Sequence, residues 1–291
     1  MKRIYNTALV FLFFLLATTL QAQNFQGKAF YKSKTTVDLD NWGGNQFSEQ
    51  QKKQIMERMK SALEKSYVLT FTQAESIYKE EEALETPGQG GGFRMMMSAA
   101  GGDGNLYKNV KENILLQEKE FFGKQFLVND TLPKLTWKME GETKQIGQYT
   151  CFKATAVKSV NEFDWRSMRR RNNTSEEKKE NQKATDSTSK DPMDEIEIPE
   201  EIVITAWYTP QIPVSNGPAD YWGLPGLILE VNADRTTILC TKIVMNPEEK
   251  EEIKKPSKGK EVTLQEYNET IKQKIEEMRE MYGGRNGGRR F

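Results

Sequence analysis

One segment of this chain admits no regular element. Residues 207–231 read W-Y-T-P-Q-I-P-V-S-N-G-P-A-D-Y-W-G-L-P-G-L-I-L-E-V. Pro210, Pro213, Pro218 and Pro225 each fix φ and withdraw a backbone donor, so neither a helix nor a sheet ladder can run through. Gly217, Gly223 and Gly226 lie among them. The flanks are strand-like. Residues 202–208 are rich in β-branched and aromatic side chains, with Ile202, Ile204, Ala206 and Tyr208 on one face. Leu227, Ile228, Leu229 and Val231 make the second run almost wholly apolar, as in a deeply buried strand. Pro225 and Gly226 suit the central pair of a type II turn. Leu224, preceding a proline, is pushed towards extended geometry. The chain therefore crosses between two strands on an irregular but stiff connection, which presents Tyr221 and Trp222 at low conformational cost.

The remaining elements are read outward from that crossover. An opening strand over residues 25–37 places Phe25, Ala29 and Tyr31 on one face. Ser48 and Gln51 form a capping box, starting a helix over about 48–65 whose apolar stripe is Ile55, Met56, Met59, Ala62 and Leu63. A strand follows at 67–72, and the glycine-rich residues 86–105 read as a flexible loop. Short strands are then expected at 112–121, 122–128, 136–139, 143–146 and 149–157, with a turn at Glu140-Gly141 and a last strand at 236–245. Asn246-Pro247-Glu248 suits the start of a short helix. Thr263 and Glu266 cap another, with Tyr267, Ile271, Ile275 and Met278 on one face and a stop at Gly283-Gly284. This order predicts an α+β domain: a large, curved, antiparallel half-barrel-like meander with two packed helices. The expected layout is a signal peptide at 1–22, a single domain split into 23–160 and 201–282, a charged, disordered insert at 161–200, and a Gly/Arg-rich tail at 283–291.

The N-terminus carries the export expectation. Lys2 and Arg3 precede an apolar run from Ala8 to Ala17, and Leu20-Gln21-Ala22 offers a peptidase site. The run falls short of the about 20 residues a spanning helix needs. The chain is therefore expected in the periplasm or at the periplasmic face of the outer membrane. Formal net charge is +0, and removing residues 1–22 shifts it only slightly to the acidic side, so no basic excess draws nucleic acid. Cys151 and Cys240 are the chain's two cysteines; both fall in expected strands, where a disulfide and buried thiols remain equally open.

The hexapeptide Gly223, Leu224, Pro225, Gly226, Leu227, Ile228 resembles the signature of the GLPGLI family. The upstream W-Y-T-P-Q-I-P and G-P-A-D-Y-W, and the earlier block T-W-K-M-E-G-E-T-K-Q-I-G-Q-Y-T-C-F-K-A, are similar to that family's shared blocks. The resemblance implies an exported protein of Bacteroidota-type bacteria, often encoded near outer-membrane receptors, with no established activity. It supplies no catalytic residues, and the insert at 161–200 departs from it.

The chain contains no histidine. That removes the Ser-His-Asp and Cys-His arrangements, the H-E-x-x-H metal motif and any imidazole base. No catalytic constellation or cofactor motif stands out, so the chain is expected to be no enzyme and to need no cofactor. Three weaker site readings compete with blander ones. Trp207, Tyr208, Tyr221 and Trp222 form either a groove for a hydrophobic ligand, a sugar or a peptide, or ordinary core packing. Met95, Met96 and Met97 offer thioethers to a soft ion such as Cu(I), or are apolar residues of a loop. Arg166, Arg169, Arg170 and Arg171 are either an anion-binding cluster or part of a solvated charge run. The functional expectation is a non-enzymatic accessory protein that engages an outer-membrane receptor or envelope client. A carrier of a lipid or other amphiphile is the alternative, and copper binding is weaker still.

Overall fold

The computed structural model describes residues 25–37, 48–81, 102–160, 169–170, 196–197 and 199–283. The signal-peptide reading, Met95 to Met97, Arg166, Arg171 and the tail lie outside the described residues. Fourteen strands and two helices are described. The strands are β1 (Gly27–Thr35), β2 (Glu64–Phe71), β3 (Glu75–Glu80), β4 (Gly102–Asn109), β5 (Ile114–Phe121), β6 (Lys124–Thr131), β7 (Lys138–Ile146), β8 (Tyr149–Ser159), β9 (Arg169–Arg170), β10 (Ile196–Glu197), β11 (Glu201–Thr209), β12 (Leu227–Ala233), β13 (Thr236–Met245) and β14 (Lys260–Val262). The helices are α1 (Glu49–Leu63) and α2 (Leu264–Gly283). Twelve strands form one sheet in the order β14-β6-β5-β4-β3-β2-β1-β13-β12-β11-β8-β7; β9 and β10 pair separately. Every pairing in the large sheet is antiparallel except β14 on β6, which is parallel.

Local chemistry explains most of these boundaries. Ser48 accepts from the Gln51 amide at 3.3 Å while the Gln51 side chain accepts from the Ser48 amide at 2.8 Å, so the capping box forms and α1 begins there. Thr263 and Glu266 repeat the arrangement ahead of α2. Both hairpin-like turns at 122–123 and at 147 carry positive φ, at Phe122, Gly123 and Gly147.

Four expectations are corrected. Residues 75–80 and 102–109 are strands, although the second falls partly in the expected loop. Lys138–Ile146 is one strand, and Glu140-Gly141 lies in a bulge between Met139 and Thr143 instead of a turn. Residues 246–259 contain no helix; they run as an irregular segment to β14. Pro225 sits at the centre of a tighter turn than type II, because the Gly226 amide bonds the Leu224 carbonyl at 2.8 Å, one residue short of a β-turn.

The sheet is strongly curled but not closed. β4 and β8 stand seven strand steps apart, which in a flat sheet is roughly 34 Å at about 4.8 Å per step. Yet Lys108 of β4 reaches the Tyr221 carbonyl and Lys158 of β8 reaches the Asp220 carboxylate, one residue away. The inner face therefore wraps around the crossover at 210–226. Ile212, Val214, Leu224 and Tyr221 pack there with Tyr31, Leu69, Ala154, Ile204 and Ala206 in one buried cluster. A fully buried aliphatic side chain of this size contributes about 1.5–3 kcal/mol, so this strap is a large part of the core. A second segment binds the outer face. Glu251 meets Lys28 at 2.8 Å and accepts from Thr70 at 3.3 Å, and its backbone exchanges two hydrogen bonds with the Gln26 side chain. A smaller cluster joins Phe121, Phe126, Val128, Val262, Tyr267 and Ile271, seating α2 on β6.

Candidate functional site

The chemically distinctive region lies where the inner strap meets β3, β4 and β8. Strand alternation sends Leu106 and Lys108 inward and Tyr107 outward. Lys108 thus enters the core with none of its surface exposed. Its Nζ donates to the carbonyl oxygens of Gly217 at 2.7 Å and Tyr221 at 3.2 Å. Burial disfavours the ammonium and pulls the pKa down to about 7, with the charge of Asp220 opposing the shift.

Ser76 on β3 is the ladder partner of Lys108. Its hydroxyl donates to Asn216 Oδ1 at 3.2 Å, and the Gly217 amide donates to the same oxygen at 2.9 Å. Asn216 is 1% exposed, and its Nδ2 finds no hydrogen-bond partner among the described residues. An orphaned buried donor of this kind costs about 1–3 kcal/mol. Asp220 on the strap pairs with Lys158 of β8 at 2.6 Å; the Lys158 ammonium also stands 4.9 Å from the centre of the Tyr221 ring. Burial pushes the Asp220 carboxyl up, but the charges of Lys158 and Lys108 outweigh it and hold the pKa below the usual range.

Of the two readings of the four aromatics, their burial supports core packing. Trp207 and Tyr208 are consecutive strand residues and face opposite ways. Trp207 lies under the Lys144 ammonium, 4.2 Å from the ring centre, and Lys144 pairs with Glu230 at 2.7 Å. Tyr208 and Tyr221 are buried in the main cluster. Trp222 donates its indole N–H to the Pro133 carbonyl at 2.7 Å, while its own carbonyl accepts from the Trp137 indole at 2.8 Å. These two indole bonds fasten the strap to the 132–137 connection. The hexapeptide 223–228 is structural in the same sense: Leu224, Leu227 and Ile228 are buried, and a Cβ at Gly226 would collide with the Thr209 carbonyl. Cys151 and Cys240 are buried free thiols, each raised by burial, to about 11 and about 12. They are not joined. Among the described residues no group of three or more His, Cys, Asp or Glu side chains could hold a metal ion, and no helix is long and apolar enough to cross a membrane.

The residues that sequence reasoning passed over are Ser76, Lys108, Lys158, Asn216 and Asp220. Lys108 would have been flagged had residues 102–109 been read as a strand, since alternation puts it on the face of Leu106. Ser76, Lys108 and Asn216 are sealed, none more than 1% exposed, whereas the Lys158 and Asp220 side chains keep 27% and 26% of their surface.

Residues 137–230 match a family described as "Protein of unknown function (Porph_ging)". That span contains β7, β8, β11 and the strap with its hexapeptide. No curated protein matches the sequence. Two solved structures of PNGF-II, in the C2 and P21 space groups, are similar at 14% identity with a TM-score of 0.46. The match covers 85% of this chain and 32% and 33% of those chains, so the chain spans about a third of their length.

Proposed function

We propose that this is an exported, non-enzymatic accessory protein of the cell envelope, which engages a protein client through the outside of its curled sheet. One observation carries the reading. The concave face, where a carrier would hold its cargo, is filled by the chain's own strap, with Ile212, Val214 and Leu224 each no more than 3% exposed. Binding then falls to the outer surface. There Val157 and Val203 are opposed in register on β8 and β11, and both are more than half exposed. A cross-strand apolar pair of this kind is a natural anchor for a partner. The signal-like N-terminus and the resemblance to GLPGLI proteins support export and a place beside an outer-membrane receptor.

The test is site-specific photo-crosslinking in the native envelope. A probe at Val203 should give a discrete adduct with one envelope protein, and a probe at Lys34, on the exposed end of β1, should not. Val157→Glu should weaken the adduct at least several-fold. Absence of any adduct above background would defeat the proposal. So would recovery of a stoichiometric lipid with the purified protein by native mass spectrometry, which would restore the carrier.

A further inference from the structure

We infer that Lys108 and Asn216 are joined by an intramolecular amide bond, formed when the Lys108 amine displaces ammonia from the Asn216 carboxamide.

Four features of the site converge on this reaction. The nucleophile is desolvated, and its burial favours the neutral amine. A neutral amine has two N–H donors and one lone pair; the two donors match the two carbonyls of Gly217 and Tyr221 that Nζ contacts, which leaves the lone pair unused. The electrophile belongs to the neighbouring residue: Nζ bonds the carbonyl of Gly217, next in sequence to Asn216, and Asn216 Oδ1 accepts from Ser76, the ladder partner of Lys108. Finally, the two hydrogen bonds on Asn216 Oδ1, from the Ser76 hydroxyl and the Gly217 amide, sit where negative charge develops on a tetrahedral intermediate. The nitrogen that must leave, Nδ2, has no bond to hold it.

The step balances without a co-reactant. The Nζ lone pair attacks Asn216 Cγ, forming the new C–N bond, and the π electrons move onto Oδ1 between its two donors. One Nζ proton passes to Nδ2 within the tetrahedral intermediate, so that the leaving group is neutral ammonia. The C–Nδ2 bond breaks, the carbonyl re-forms and ammonia departs. Folding provides the driving arrangement, since confining two groups to one buried site is equivalent to a very high local concentration. The product ties β4 to the strap and removes both the buried amine and the orphaned amide donor.

Intact-mass measurement on the purified full chain tests this without requiring any variant to fold. The mass should fall below that of the processed sequence by one ammonia, and tandem spectra of a tryptic digest should show a peptide uncleaved at Lys108 and joined to the one bearing Asn216. Lys108→Arg and Asn216→Ala should each return the full mass. An unmodified wild-type mass would overturn the inference. So would an ammonia loss that persists in Lys108→Arg and opens in mild alkali, which marks ring closure at Asn216-Gly217 alone. Loss of one water with a link to Asp220 would equally refute the assignment to Asn216.

Discussion

A lysine with no exposed surface is costly to keep charged, and that cost can be read as a pH dependence. In a chain that cannot close the amide bond, such as Asn216→Ala, Lys108 stays a titrating amine. Its folded pKa is about 7 against 10.5 for an ordinary lysine. Between those values the unfolded state binds more protons than the folded one, so unfolding free energy rises with pH. The penalty is full below about pH 7 and relieved as pH approaches the unfolded value. The expected slope in mid-window is on the order of 1 kcal/mol per pH unit. Denaturant titrations of Asn216→Ala across this range should show it, and adding Lys108→Met should flatten it. Gly226 gives a sharper residue-scale expectation. Its φ is +159°, and a Cβ there meets backbone atoms of Thr209 and Pro210, which cannot swing aside as a side chain can. Gly226→Ala should lower stability by about 2 kcal/mol or more, measured as a shift in denaturant midpoint with unchanged slope.

At the scale of elements, stability is unevenly divided. α2 rests on a satellite cluster in which Tyr267 packs against Phe126 at a 5.4 Å ring separation. Tyr267→Ala should therefore unseat α2 and β14 while the main sheet persists. Hydrogen exchange should show protection lost over residues 260–275 and kept in β1, β12 and β13. The same contrast separates what could be read in the sequence from what could not. The two helices announced themselves through capping chemistry that is local by nature, and both boxes form. β13 matches its expected bounds because its apolar alternation is dense. β3 was missed because E-S-I-Y-K-E is short and charged at its ends; pairing on both sides makes it a strand. β4 was hidden by its glycines, yet Gly104 lies against the Glu118 carbonyl so closely that a Cβ has no room. Glycine there serves close approach of two strands and not flexibility. Missing β3 and β4 also hid Ser76 and Lys108, so the buried polar site was invisible even though Asn216 and Asp220 lay in the segment that drew attention first. The groove alternative for the aromatics treats four neighbours in sequence as one group, while the pleat sends Trp207 and Tyr208 to opposite faces.

At the scale of the whole molecule, the sheet is bound on both sides. The strap at 210–226 fills its inner face, and residues 246–259 cross its outer face to deliver β14 and α2 to the far edge. The two edges differ as a result. Among the described residues β7 has no partner strand on one side, but it is bulged and carries Lys138, Glu140, Glu142 and Lys144, which blunts a strand against foreign pairing. β6 has no such charges at its centre, Phe126, Leu127 and Val128; three residues of β14 pair with those same positions. The cover is therefore what keeps that edge from recruiting other chains. Removing residues 260–291 should expose a strand edge together with the apolar side chains of Phe121, Phe126 and Val128, and the shortened chain should self-associate. Light scattering after size exclusion would read this as a concentration-dependent rise in mass. A truncated chain that stays monomeric, with β1 and β13 still protected from exchange, would mean that the cover is dispensable and that twist alone guards the β6 edge.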